Sequence, residues 1–185
     1  MNKIAFKILP SPESNDSEVR ILIDENDFLG NDYLGLDPPV FFDQKTFIRP
    51  GELMIGRCTC GCEGCSDYPV TVSVDNDKII WTNHTGVKLE FNKAEYERTI
   101  AEAKNDNSWE DENRRIERLV SSLLHNTKTK DDYNFNWASA RIKDNFITLS
   151  FSKNGEQKLL EFSRDKISLE NTLLNAKNFA DRQLK

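Results

Sequence analysis

Outside one stretch of eight residues the chain has no cysteine, so a disulfide framework spread through the fold is not expected. No apolar run approaches the roughly 20 residues of a membrane-spanning helix. The N-terminus has no better claim to export. Lys7 interrupts its apolar residues well short of the roughly 7 to 15 that a secretory signal needs, which leads to the expectation of a cytoplasmic protein with reduced thiols. Positive charge is also in deficit. With 25 Lys and Arg against 31 Asp and Glu, the net charge is −6, which argues against a broad phosphate-binding surface and so against nucleic acid. A basic protein or peptide is the more natural partner. The chain lacks a glycine-rich phosphate loop and a Gly-x-Ser-x-Gly elbow, so the common nucleotide and hydrolase signatures are missing. Histidine is scarce too. Of the two, His84 between Asn83 and Thr85 reads as a polar turn residue, and His125 as a dipole partner at a helix end.

What the chain does have is enough apolar material to fold: 37% hydrophobic residues, with eleven Phe and three Trp. Length favours one globular domain over residues 1–185. Strand-like pieces at Ile4 to Leu9 and Val19 to Ile23 are bounded by Pro and Asx residues. Leu34 to Pro39 reads as an irregular loop, because two prolines restrict it. Phe41, Phe42, Phe47 and Ile48 then need cover, either across the core or against a partner. A strand from Leu53 to Arg57 enters the cysteine loop, and Val70, Val72 and Val74 alternate with Thr71 and Ser73 on the way out. Lys78 to Trp81 and Val87 to Phe91 follow as strands.

Asn92 with Glu95 has capping-box spacing, and Phe91 with Tyr96 that of a hydrophobic staple, so a helix starts there. Ser108 is placed to cap the next helix, whose apolar stripe includes Ile116, Val120 and Leu124. Strands near 135–142, 146–151 and 158–162 and a closing helix complete the chain, with Asn154-Gly155 as a hairpin signal. The fold class is therefore α+β: antiparallel hairpins with about three helices packed on one face. The halves 51–105 and 135–178 share a short strand-turn-strand-helix echo, Val70 to Val74 against Ile147 to Phe151 and Leu89-Glu90-Phe91 against Leu160-Glu161-Phe162. Duplication and common hairpin-plus-helix grammar both account for it.

The chemistry is concentrated in Cys58-Thr59-Cys60-Gly61-Cys62-Glu63-Gly64-Cys65. Thiolates in a tetrahedron suit zinc, and the two-residue gap between Cys62 and Cys65 lets one turn aim both sulfurs at one ion. Gly61 and Gly64 supply positions where the backbone can turn with φ above zero. Cys58 and Cys60, two apart on a strand, would face the same side. A mixed site using His84 is an alternative. A redox pair is another, although no helix follows to lower a thiol pKa. The third possibility is that small side chains simply pack beneath a glycine turn. The carboxylates Asp24, Glu25, Asp27 and Asp32 fit neither a calcium loop nor a catalytic pair and read as a solvated face.

The order Cys60-Gly61-x-x-Gly64-Cys65, Val70-x-Val72, Trp81, Phe91 with Tyr96, and Ser108-Trp109-Glu110 with Arg114 resembles a family of uncharacterised bacterial proteins, over roughly residues 50 to 120. The resemblance implies a bacterial cytosolic protein with a recurring architecture and no catalytic residue. Cys58 and Cys62 lie outside that pattern.

Two functions follow as expectations. One is a non-catalytic protein-binding module of the immunity type, with Phe41, Phe42 and Phe47 meeting a protein partner and no cofactor. The other is a zinc-binding or thiol redox protein working through Cys58, Cys60, Cys62 and Cys65, with His84 as a weaker ligand and one zinc ion as cofactor.

Overall fold

Left-handed backbone at Asp24 and Glu25 (φ 48° and 71°) makes a two-residue hairpin turn, which joins β2 (Ser17–Ile23) to the short β3 (Asn26–Asp27). β1 (Ile4–Pro10) pairs along the other edge of β2. The computed structural model describes residues 1–11, 16–60 and 64–185. It divides the chain into two compact units, Met1–Trp109 and Glu110–Lys185. Each unit has its own cluster of buried apolar side chains.

In the first unit a five-stranded antiparallel sheet runs in the order β4 (Tyr33–Leu34), β5 (Gly51–Cys58), β6 (Tyr68–Val74), β7 (Lys78–Thr82), β8 (Lys88–Asn92). Alternation along the strands sends Leu53, Ile55, Val70, Val72, Ile79 and Trp81 into the same core as Val19 and Ile21 of β2. The expected loop at Leu34–Pro39 is partly helical. Pro38 and Pro39 open α1 (Pro38–Phe42), because a proline in the first turn gives up only an N–H that has no helical partner. α2 (Lys93–Asn105) starts as its spacing predicts: the Asn92 side chain accepts from the Glu95 N–H at 3.0 Å, and the Phe91 and Tyr96 rings meet at 5.3 Å.

The second unit is a three-stranded antiparallel sheet, ordered β11 (Glu156–Ser163), β10 (Phe146–Lys153), β9 (Asn134–Ser139), with α3 (Glu112–Leu124) and α4 (Leu169–Gln183). Ile147, Leu149 and Phe151 of β10 pack with Ile116, Val120 and Leu124 of α3 and Ala176 of α4. Asn154 and Gly155 turn with φ of 52° and 84°, as their hairpin signal requires. The cap of α3 is Asp111, whose side chain accepts from the Arg114 N–H at 2.8 Å, and not Ser108. The Ser108 N–H is already engaged by the Asp106 side chain at 2.8 Å, which holds that segment in a turn.

The α+β class stands, with antiparallel sheets of three, five and three strands and four helices among the described residues. The echoing segments are joined differently: β6 and β8 flank β7, whereas β10 pairs directly with β11. No described helix is long and apolar enough to cross a membrane.

Candidate metal centre at the cysteine loop

β5 ends at Cys58, in register with Tyr33 of β4, and β6 begins at Tyr68, in register with Gly56. The cysteine loop is therefore the tip of a β5–β6 hairpin. Its base is packed with aromatic rings. Tyr68 meets Tyr33 at 4.7 Å, Phe28 at 6.0 Å and His84 at 5.4 Å between ring centroids. Gly56 is closely packed there, since an added Cβ would sit 3.0 Å from a Leu29 methyl and 3.2 Å from the Leu34 carbonyl oxygen.

Arg20 of β2 holds β4 in place. Its guanidinium donates to the Tyr33 carbonyl at 2.8 Å, to the Gly30 carbonyl, and through Nε to Asp27 at 2.9 Å. Beside it the buried Glu18 carboxylate accepts from the Gly35 N–H at 2.7 Å. These two buried charged residues, which sequence patterning does not reveal as such, fix the strand that lies alongside Cys58. The only trace in the sequence is alternation, with Glu18 and Arg20 on one face of β2 and Val19 and Ile21 on the other.

The Sγ atoms of Cys58, Cys60 and Cys65 all lie within 4.8 Å of one another. In a zinc tetrahedron with Zn–S bonds of about 2.3 Å, neighbouring sulfurs are about 3.8 Å apart. Three thiols are thus close enough to share one metal ion after small side-chain adjustments. Cys58 and Cys60 are also at disulfide distance, with Cα atoms 5.4 Å apart, while Cys65 is an exposed free thiol. Gly64 has the expected positive φ, 76°, and its N–H donates to Asp67 at 3.2 Å. Cys62 and Gly61 lie outside the described residues.

His84 returns to the same end of the sheet, as expected of the turn after β7, yet it is not among the three clustered ligands. Its ring packs edge-on against Tyr68. The turn is held by Asn83, whose side-chain oxygen accepts from the N–H groups of Thr85 at 3.0 Å and Val87 at 2.9 Å. Phe41, Phe42 and Phe47 take the first of their two expected places. They are 0%, 6% and 3% exposed and pack against each other and edge-on against Phe6 of β1, so they are core residues and not surface anchors. Only Ile48 of that group stays exposed.

The acidic residues Asp24, Glu25, Asp27 and Asp32 are exposed, as expected of a solvated face, and two of them also make specific bonds. Asp24 accepts from the Lys3 N–H and the Asn2 side chain, both at 2.7 Å, and these bonds hold its carboxyl below the usual range. Asp27 pairs with Arg20 and also accepts from the Leu29 N–H at 3.0 Å. In the second unit, buried Glu117 accepts from Ser139 at 3.0 Å, the Ala140 N–H at 2.8 Å and Arg141 at 2.9 Å. With its oxygens so occupied, this carboxylate clamps α3 to the end of β9.

Comparison with protein-family models, with curated proteins and with solved structures found no match to this chain. Its class is defined by its own geometry: an α+β protein with a cysteine cluster at the tip of a β-hairpin, compatible with metal binding.

Proposed function

We propose that the protein binds one zinc ion through Cys58, Cys60 and Cys65, and that this thiolate site is its functional centre. The carrying observation is the convergence of the three sulfurs within 4.8 Å on an exposed loop with a rigid, aromatic base. Soft thiolate donors favour zinc over the hard divalent ions, and three protein ligands leave a fourth position for a further donor. The test is metal analysis of reduced, tag-free protein. Stoichiometry of about one zinc per chain supports the reading, and less than about 0.2 per chain with reactive thiols overturns it.

A second reading, a non-catalytic protein-binding module of the immunity type, is favoured by a different feature. On β10, Ser150 lies in register with Trp137 on one side and Leu159 on the other, so both apolar side chains share one sheet face. They are 38% and 53% exposed. A partner complex whose affinity falls at least about tenfold with Trp137→Ala supports this reading, since exposed aromatics are common interface anchors. A complex indifferent to both Trp137→Ala and Leu159→Ser removes it.

A further inference from the structure

We infer that the cysteine loop is a redox-gated metal site, in which oxidation of Cys58 and Cys60 to their disulfide expels the ion. This rests on the zinc reading above and adds its regulation. Cys58 and Cys60 belong to the cluster of three sulfurs and are also at disulfide distance from each other. Their Cα separation of 5.4 Å lies within the range of about 4.4–6.8 Å that disulfides span, so the backbone holds the two cysteines within reach of the bond. The two states exclude each other. A metal ligand must be a thiolate, and a disulfide sulfur has no thiolate charge to donate. Among the described residues, oxidation removes two of the three clustered ligands and leaves Cys65.

The location suits such a gate. Cys60 and Cys65 are exposed, so a small oxidant reaches them without unfolding. The hairpin base is anchored by β4, by the Tyr33–Tyr68 contact and by the Asn83 side chain, which donates to the Tyr68 hydroxyl at 3.3 Å.

With a peroxide as oxidant, one thiolate attacks the peroxide oxygen and becomes a sulfenic acid as the O–O bond breaks. The second thiolate then attacks that sulfur, forming the S–S bond and releasing hydroxide. The net step takes two thiolates, one hydrogen peroxide and two protons to one disulfide and two waters; sulfur loses two electrons and the peroxide gains them. A dithiol reductant reverses it by thiol–disulfide exchange, becoming a disulfide itself and returning both cysteines as thiols.

The experiment uses the full chain, reduced and loaded with zinc, then titrated with hydrogen peroxide in the presence of a chromogenic zinc chelator. One zinc is expected to leave for every two thiols lost. Alkylation of the remaining thiols followed by fragmentation should leave Cys58 and Cys60 unmodified and Cys65 labelled. Dithiothreitol and zinc should restore the starting state. Cys65→Ser, which leaves the disulfide pair intact, should still form the Cys58–Cys60 bond while binding zinc at least about tenfold more weakly, since loss even of a group supporting a ligand costs about that much. If the reduced protein binds no zinc, the metal reading fails and the gate with it. If it binds zinc that peroxide does not release, or releases it with Cys65 in the disulfide or with sulfinic acid as product, the gate alone is overturned.

Discussion

Trp81 is fully buried, and its indole N–H donates to the Tyr96 hydroxyl at 3.0 Å. Burial pushes that hydroxyl well above the ordinary tyrosine range, partly offset by the Trp81 bond, so it stays neutral. Tyr96→Phe keeps the ring and strips the acceptor from a buried donor, and should cost about 1–3 kcal/mol. Urea unfolding checks this, and a cost within error would show that the indole finds another partner. Gly35 is equally constrained. An added Cβ would lie 2.2 Å from the Val19 carbonyl oxygen, so Gly35→Ala must push β2 and the following loop apart. The expected loss is about 1–3 kcal/mol, read from the denaturation midpoint at unchanged slope. These residues were only partly legible. Phenylalanine in a loop serves a core or a partner equally well by composition, which is why Phe41, Phe42 and Phe47 needed coordinates to place them. Glu18, Arg20 and Glu117 look like surface charges until their distant partners are known.

At the scale of elements, helix starts separate a local signal from its local competitor. Asp111→Ala should destabilise the second unit by about 0.5–2 kcal/mol, and Ser108→Ala should change little, because only Asp111 accepts from an N–H in the first turn of α3. Equal effects in thermal melts would restore Ser108 as the cap. The loop between α3 and β9 is tied to β11 through Asp131, which accepts from the Thr129 hydroxyl at 2.6 Å and from Lys158 at 2.9 Å. These bonds hold its carboxyl well below the ordinary 3.8, at about 2. A carboxyl depressed in the folded state adds stability above its unfolded value, and that stability is lost as pH falls through the folded one. The stability difference between the native chain and Asp131→Asn should therefore be constant above about pH 5 and shrink between 3.8 and about 2. A difference independent of pH would mean that the loop is held by other contacts. Thr129 itself is 2% exposed and forms a bridge to Leu184, although the segment from His125 to Asp132 has no apolar residue. Polarity alone does not reveal such a bridge.

On the scale of the whole molecule, the boundary after Trp109 cuts no strand pairing and falls between two separate apolar clusters. Each unit has its own core and its own hydrogen-bonded sheet, so fragments 1–109 and 110–185 should each fold alone. The second should be the less stable, because a chain that short buries a smaller fraction of its surface. Circular dichroism and amide dispersion of the separate fragments check this, and a disordered fragment would overturn it. The zinc reading belongs to the first fragment, since Cys58, Cys60 and Cys65 and the strands that present them all lie there.

The hairpin at Asn154-Gly155, the capped start of α2 and the gathering of every cysteine into one loop were determined by the sequence itself. Each rests on chemistry acting across a few residues: a left-handed turn, an N–H three positions away, a side chain alternating every second residue. Only the tertiary structure decided that the phenyl rings fill the core, that two apolar clusters form, and that His84 packs on Tyr68 and is not among the three clustered ligands. Those outcomes depend on groups tens of residues apart, whose meeting is set by strand order and burial, and no local pattern encodes either.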